Sequence, residues 1–84
     1  MKVLWHEDAW KEFEYSLEKD IANSKKVRKL IQEIQRSPYE GIGKPEALKH
    51  GLSGWYSRRI TIEHRLIYKV EEDTLYILNC RYHY

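Results

Sequence analysis

The period of the apolar residues changes once along this chain, and the change coincides with a break that holds every glycine and both prolines. Before the break the spacing is helical. Trp10, Phe13, Leu17 and Ile21 follow one another as a single apolar stripe, and Val27, Leu30, Ile31 and Ile34 stand at i, i+3, i+4 and i+7. After the break the pattern alternates with period two, as strands require. The two orders of repeat cannot share one element, so the chain must place a helical layer against a sheet.

Finer signals mark the boundaries. Lys2-Val3-Leu4-Trp5 reads as a first strand. Glu7 and Asp8 then open a helix, where acidic side chains complement the helix dipole. Asn23 or Ser24 is expected to cap the second helix, and Ser37-Pro38 to end it, because a residue before proline resists the helical region. Almost nothing separates the two helical stretches, so they should fold as an antiparallel hairpin. Residues 38–54 read as a long loop, a length that is usually functional. Strands are expected at Trp55–Thr61, at Arg65–Val70 and from Leu75 to about His83, with Glu71 to Thr74 as the turn between the last two. The expected architecture is α+β: one domain over residues 1–84, in the order β-α-α-β-β-β, with a helical hairpin on one face of a mostly antiparallel sheet.

Period two also sorts the faces. Leu66, Tyr68 and Val70 point one way, and Arg65, Ile67 and Lys69 the other. In the last strand Tyr76, Leu78, Cys80 and Tyr82 share a face, opposite Ile77, Asn79, Arg81 and His83. Pairing the two apolar sets over the helices sets residue 68 against 78 and Arg65 against Arg81. In the earlier strand, Tyr56 and Ile60 join the core and leave Ser57, Arg59 and Thr61 outside, with Arg58 interrupting the core set. The expectation is that Arg59, Arg65, Arg81 and His83 share the sheet face away from the helices.

Charge narrows the partners. Residues 1–43 balance eight Lys or Arg against eight Asp or Glu, whereas residues 44–69 carry six Lys or Arg against two Glu. A basic stretch of this kind suits a phosphate backbone. No apolar run approaches the ~20 residues of a spanning helix, so no membrane is expected. The single cysteine, Cys80, cannot form an internal disulfide, and the cytoplasm is the expected compartment. No His, Cys, Asp and Glu set has the spacing of a metal site, so neither metal nor cofactor is expected.

A carboxylate, an arginine and a histidine on one basic face can cut RNA. The reaction needs a base for the 2′-OH, an acid for the leaving 5′-oxygen, and cations around the crowded phosphate. Glu46 lies between Lys44 and Lys49 in the Gly- and Pro-rich loop, within reach of a face bearing Arg65 and His83. Arginine binds phosphate oxygens bidentately and stays charged. Cys80 is expected in the core, and His6 and His64 at element ends.

The same residues carry a resemblance. Gly-x-Gly-Lys-Pro-Glu-x-Leu-Lys (Gly41 to Lys49), Leu-Ser-Gly (52–54), Ser-Arg-Arg-Ile (57–60), Glu-His-Arg-Leu (63–66) and the terminal Cys-Arg-Tyr-His-Tyr (80–84) closely resemble the YoeB (Txe) toxins of the RelE superfamily, over the whole chain. The resemblance implies a RelE-like fold and a toxin–antitoxin mRNA interferase that cuts message in the ribosomal A site. It implies Glu46 as general base, His83 as general acid and Arg65 as the phosphate-stabilising residue. Lys49, Arg59 and Tyr84 match positions that hold or orient RNA, with Lys44, His50 and Arg58 as supporting contacts. It implies a YefM (Axe)-type antitoxin, the 70S ribosome and mRNA as partners, with homodimers known in the family. Two other readings fit the fold: a catalytically silent co-repressor, and a gyrase poison of the ParE type. Neither is expected to need the set Glu46, Arg65 and His83.

Overall fold

A computed structural model of the chain describes residues 1–82; His83 and Tyr84 lie outside the described residues. The order is β1 (Lys2–Trp5), α1 (Glu7–Lys19), α2 (Ile21–Arg36), β2 (Glu46–Ala47), β3 (Tyr56–Arg59), β4 (Arg65–Glu71) and β5 (Thr74–Asn79). The strands form one sheet in the order β1-β5-β4-β3-β2. β1 runs parallel to β5, and the other three pairings are antiparallel. Two helices on a mixed, mostly antiparallel sheet give the α+β class that the patterning implies.

Asp20 alone separates the helices. Its backbone N–H donates to Ser16 O, closing α1, while its carboxylate accepts the Asn23 N–H at 3.3 Å, opening α2. The cap is therefore Asp20, three or four residues before the Asn23 or Ser24 expected from sequence. Both of those side chains are instead buried, and Asn23 Nδ2 donates to Ser16 Oγ across the junction. At the other end of α1, His6 Nδ1 accepts the Asp8 N–H at 3.2 Å. The buried line of α1 is Ala9, Phe13 and Ser16, while Trp10, Leu17 and Ile21 are exposed. The expected stripe is thus rotated: small residues face inward because α1 lies close to α2 and β5, and Trp10 packs beside Trp5 and Phe13 at the rim. α2 buries Val27, Leu30 and Ile34 as expected, with Ile31 at the core's edge.

The core joins these residues to Ile60, Leu66, Tyr68, Leu75, Ile77 and Cys80. The expected register holds where Ile67 faces Asn79, then slips by one, so that Tyr68 faces Ile77 rather than Leu78. An irregularity at Leu78 absorbs one residue of β5. Its consequence is a reversal of faces: Leu75 and Ile77 enter the core beside Cys80, and Tyr76 moves to the outer face beside Lys69. The turn after β4 places Glu72 and Asp73 at φ of 50° and 57°, the backbone of a tight hairpin. Residues 38–54 are less irregular than expected: they contain β2 and a single 3-10 turn, His50–Leu52. Among the described residues, no helix is long and apolar enough to cross a membrane.

Candidate active site

Residues paired across an antiparallel ladder project from the same face. Glu46 pairs with Ser57, Ser57 with Ile67, and Ile67 with Asn79. Leu66 and Tyr68 belong to the core under the helices, so this row lies on the other face. One step along it, Arg59 pairs directly with Arg65. Arg59 and Arg65 therefore project from one face at directly opposed positions, with Glu46 diagonal to Arg59 at a Cα spacing of roughly 7–8 Å. Arg59 is exposed and Arg65 half-buried. Arg65 Nη1 donates to Ser57 Oγ at 3.3 Å, which orients it over the row. Ile67, opposite Ser57 and Asn79 in the same row, is 1% exposed.

The loop before β2 delivers Glu46. Gly43, at φ +84°, passes so close to β3 that an added Cβ would lie 3.1 Å from Arg59 O and 3.1 Å from Arg58 Cβ. Its carbonyl accepts the Arg59 N–H at 2.6 Å. Lys44 follows at φ 50° and turns the chain into β2. Lys44, Glu46, Lys49 and His50 are all exposed, and Lys49 and His50 lead into the 3-10 turn beyond β2.

Arg58 is elsewhere. It is wholly buried on the helix side of the sheet. Its Nε donates to Tyr68 Oη at 3.1 Å, its Nη1 to Ile42 O at 3.0 Å, and its Nη2 to Ser37 O and Glu40 O at 2.6 and 2.7 Å. Tyr68 Oη in turn donates to Pro38 O at 2.7 Å. Burial pushes the Tyr68 phenol up from its ordinary range, against the influence of Arg58, and keeps the proton that this bond needs. Arg58 is therefore withdrawn from the expected RNA contacts. A charge is tolerated in the core because each guanidinium nitrogen donates to an oxygen, and apart from Tyr68 Oη those oxygens are carbonyls of the segment that leads to Glu46.

Arg81 also departs from expectation. Its guanidinium turns to the helical junction, 3.7 Å from the Asp20 carboxylate and 4.4 Å from the centre of the Tyr15 ring. It does not share the outer face with Arg65. Cys80 is buried, its thiol pushed up to about 12 chiefly by burial and then by Glu12, so it is no nucleophile. His83 and Tyr84, expected as acid and RNA contact, lie outside the described residues. Ser57 is the site neighbour whose role sequence reasoning missed. Its parity with Arg59 put it on the right face, but only the fold shows that it seats Arg65.

Comparison with known proteins follows the same residues. The family model described as "YoeB-like toxin of bacterial type II toxin-antitoxin system" matches residues 5–84. Toxin YoeB of Escherichia coli K12 is 54% identical over 84 residues, covering 100% of both chains. Among solved structures, the YoeB/ParE toxin from Agrobacterium tumefaciens superimposes with a TM-score of 0.97 at 40% identity, over 100% of both chains. YoeB in the YoeB–YefM complex from Staphylococcus aureus superimposes with a TM-score of 0.93 at 40% identity, covering 100% of this chain and 98% of that one.

Proposed function

The chain belongs to the YoeB-like toxins of bacterial type II toxin–antitoxin systems, and from that premise we propose that it is a ribosome-dependent, metal-independent endoribonuclease that cuts mRNA in the A site and so stops translation. The observation that carries the reading is the direct pairing of Arg59 with Arg65 on one sheet face, with Glu46 one row away.

Glu46 takes the proton of a 2′-OH, and the oxygen attacks the adjacent phosphorus. Arg65 stabilises the negative charge that accumulates on the phosphoryl oxygens, in the geometry that a guanidinium suits best. His83 gives a proton to the departing 5′-oxygen. The upstream product carries a 2′,3′-cyclic phosphate and the downstream product a 5′-OH. Each acid or base step is worth ~10²–10⁴ in rate. Lys49, Arg59 and Tyr84 hold or orient the message, with Lys44 and His50 as flanking contacts. A YefM-type antitoxin neutralises the protein, by analogy with the complex from S. aureus. Self-association follows the same analogy, because YoeB of that organism is also described as a dimer.

Primer extension on an mRNA incubated with purified protein, with and without 70S ribosomes, tests the reading. Cuts at the A site that require both the ribosome and Glu46 are expected, and Glu46→Ala should abolish them. Cuts without ribosomes would discard the ribosome as an obligatory partner. Silence under every condition would leave a binding module.

A further inference from the structure

His64 is 7% exposed and precedes β4, where the β3–β4 connection closes. Its backbone is fully committed there. The His64 N–H donates to Thr61 Oγ1 at 3.0 Å, and its carbonyl accepts from Ile60 N and Thr61 N at 2.9 and 3.1 Å. The imidazole is thus held in one place by a turn, and it faces the end of the chain. Nδ1 accepts the Tyr82 N–H at 2.7 Å, and the two rings meet edge to face with centroids 5.3 Å apart.

The other side of Tyr82 is also secured. Its carbonyl accepts the Arg65 N–H at 2.9 Å. Tyr82 itself sits at φ +60°, a left-handed backbone that is disfavoured for a non-glycine residue. A non-glycine residue adopts such a backbone only when its surroundings specify it. The two bonds do so: one comes from the His64 side chain and the other from the backbone of Arg65, a residue of the candidate site. Together they bring the chain back toward β4 after β5 has ended at Asn79.

We propose that His64 is a positioning residue: by accepting the Tyr82 N–H it fixes the backbone of Tyr82, the residue before His83, against the start of β4 at Arg65. The inference rests on the nuclease reading, in which His83 is the general acid. His64 touches neither RNA nor the reacting atoms. It acts through a single backbone bond, and its ring packing against Tyr82 is separable from that bond. A misplacement of about 1 Å in a catalytic group can cost on the order of 10²-fold in rate.

Three variants separate the two contributions. His64→Phe keeps the ring and removes the acceptor. His64→Asn keeps an acceptor at the position of Nδ1 and loses most of the ring. His64→Gln carries its acceptor one bond too far and serves if the Phe variant fails to fold. The measurements are hydrogen exchange of the Tyr82 amide by NMR and ribosome-dependent cleavage, with kcat and KM resolved. The Phe or Gln variant should exchange Tyr82 much faster and lose at least about tenfold in kcat at nearly unchanged KM. The Asn variant should restore both protection and most of kcat. A folded Phe or Gln variant with full kcat overturns the proposal, as does an Asn variant that protects Tyr82 and yet stays inactive. A wild-type protein that cuts nothing strikes the nuclease reading instead, while the Tyr82 exchange still decides whether His64 anchors the terminus.

Discussion

Arg58 and Arg59 are adjacent in β3 and belong to two different regions. Beneath the sheet, Arg58 is buried among Tyr68 and the carbonyls of Ser37, Glu40 and Ile42, with its hydrogens directed at protein oxygens. Above it, Arg59 is exposed beside Arg65, with Glu46 diagonal to it. The difference teaches how a chain this short holds two arginines at opposed positions on one exposed face. Like charges placed side by side repel, and the strands that carry them must be held together by something else. The buried network does that work, tying the loop of residues 37–43 to β3 and so fixing where β2 lies. One region supplies rigidity and the other displays charge. A substitution below should therefore be read in stability, and one above in activity.

The largest expected effect falls below. Arg58→Ala leaves the Tyr68 hydroxyl and the carbonyls of Ser37, Glu40 and Ile42 without this donor and empties the space of a wholly buried side chain, and should cost about 3–5 kcal/mol in urea unfolding. A loss under about 1 kcal/mol would erase the distinction between the regions. Above the sheet, Arg65→Ala should lower ribosome-dependent cleavage by ~10² or more. Its urea midpoint should stay close to wild type, because the side chain's hydrogen bond is a single 3.3 Å contact to Ser57. If the variant instead unfolds, Arg65 belongs to the frame. Tyr68→Phe removes the acceptor of Arg58 Nε and the donor to Pro38 O, and should cost about 1–3 kcal/mol in thermal melting without blocking cleavage. Smallest is Arg59→Ala: stability within about 0.5 kcal/mol, a several-fold weaker affinity for RNA, and a salt dependence shallower by about one counterion. An unchanged salt slope would deny Arg59 its phosphate contact.

The site was legible in part, for identifiable reasons. Alternation in β3 and β4 is strictly local, so it correctly grouped Ser57 and Arg59, and Arg65 and Ile67, on the face away from the helices. The glycine and proline cluster correctly marked the segment that turns Glu46 into place, and Gly43 shows why a side chain is not tolerated there. Alternation failed in β5, because the irregularity at Leu78 changes parity midway and no residue type there announces it. It also could not tell whether Arg58 breaks the core or belongs to it. That answer depends on oxygens 15 or more residues away in sequence, brought together only when the loop closes.

The sequence by itself determined that two helices follow a first strand and precede the rest, that Val27, Leu30 and Ile34 of α2 face the core, where α2 ends, and which side chains of β3 and β4 are displayed together. Those properties depend on backbone sterics and on the periodicity of neighbouring residues. Tertiary structure alone decided the slip of register at Leu78, the turning of Arg81 to the helical junction and the burial of Arg58. Each of these depends on a partner distant in the chain. A polar or charged group leaves water only where such partners have already been assembled around it.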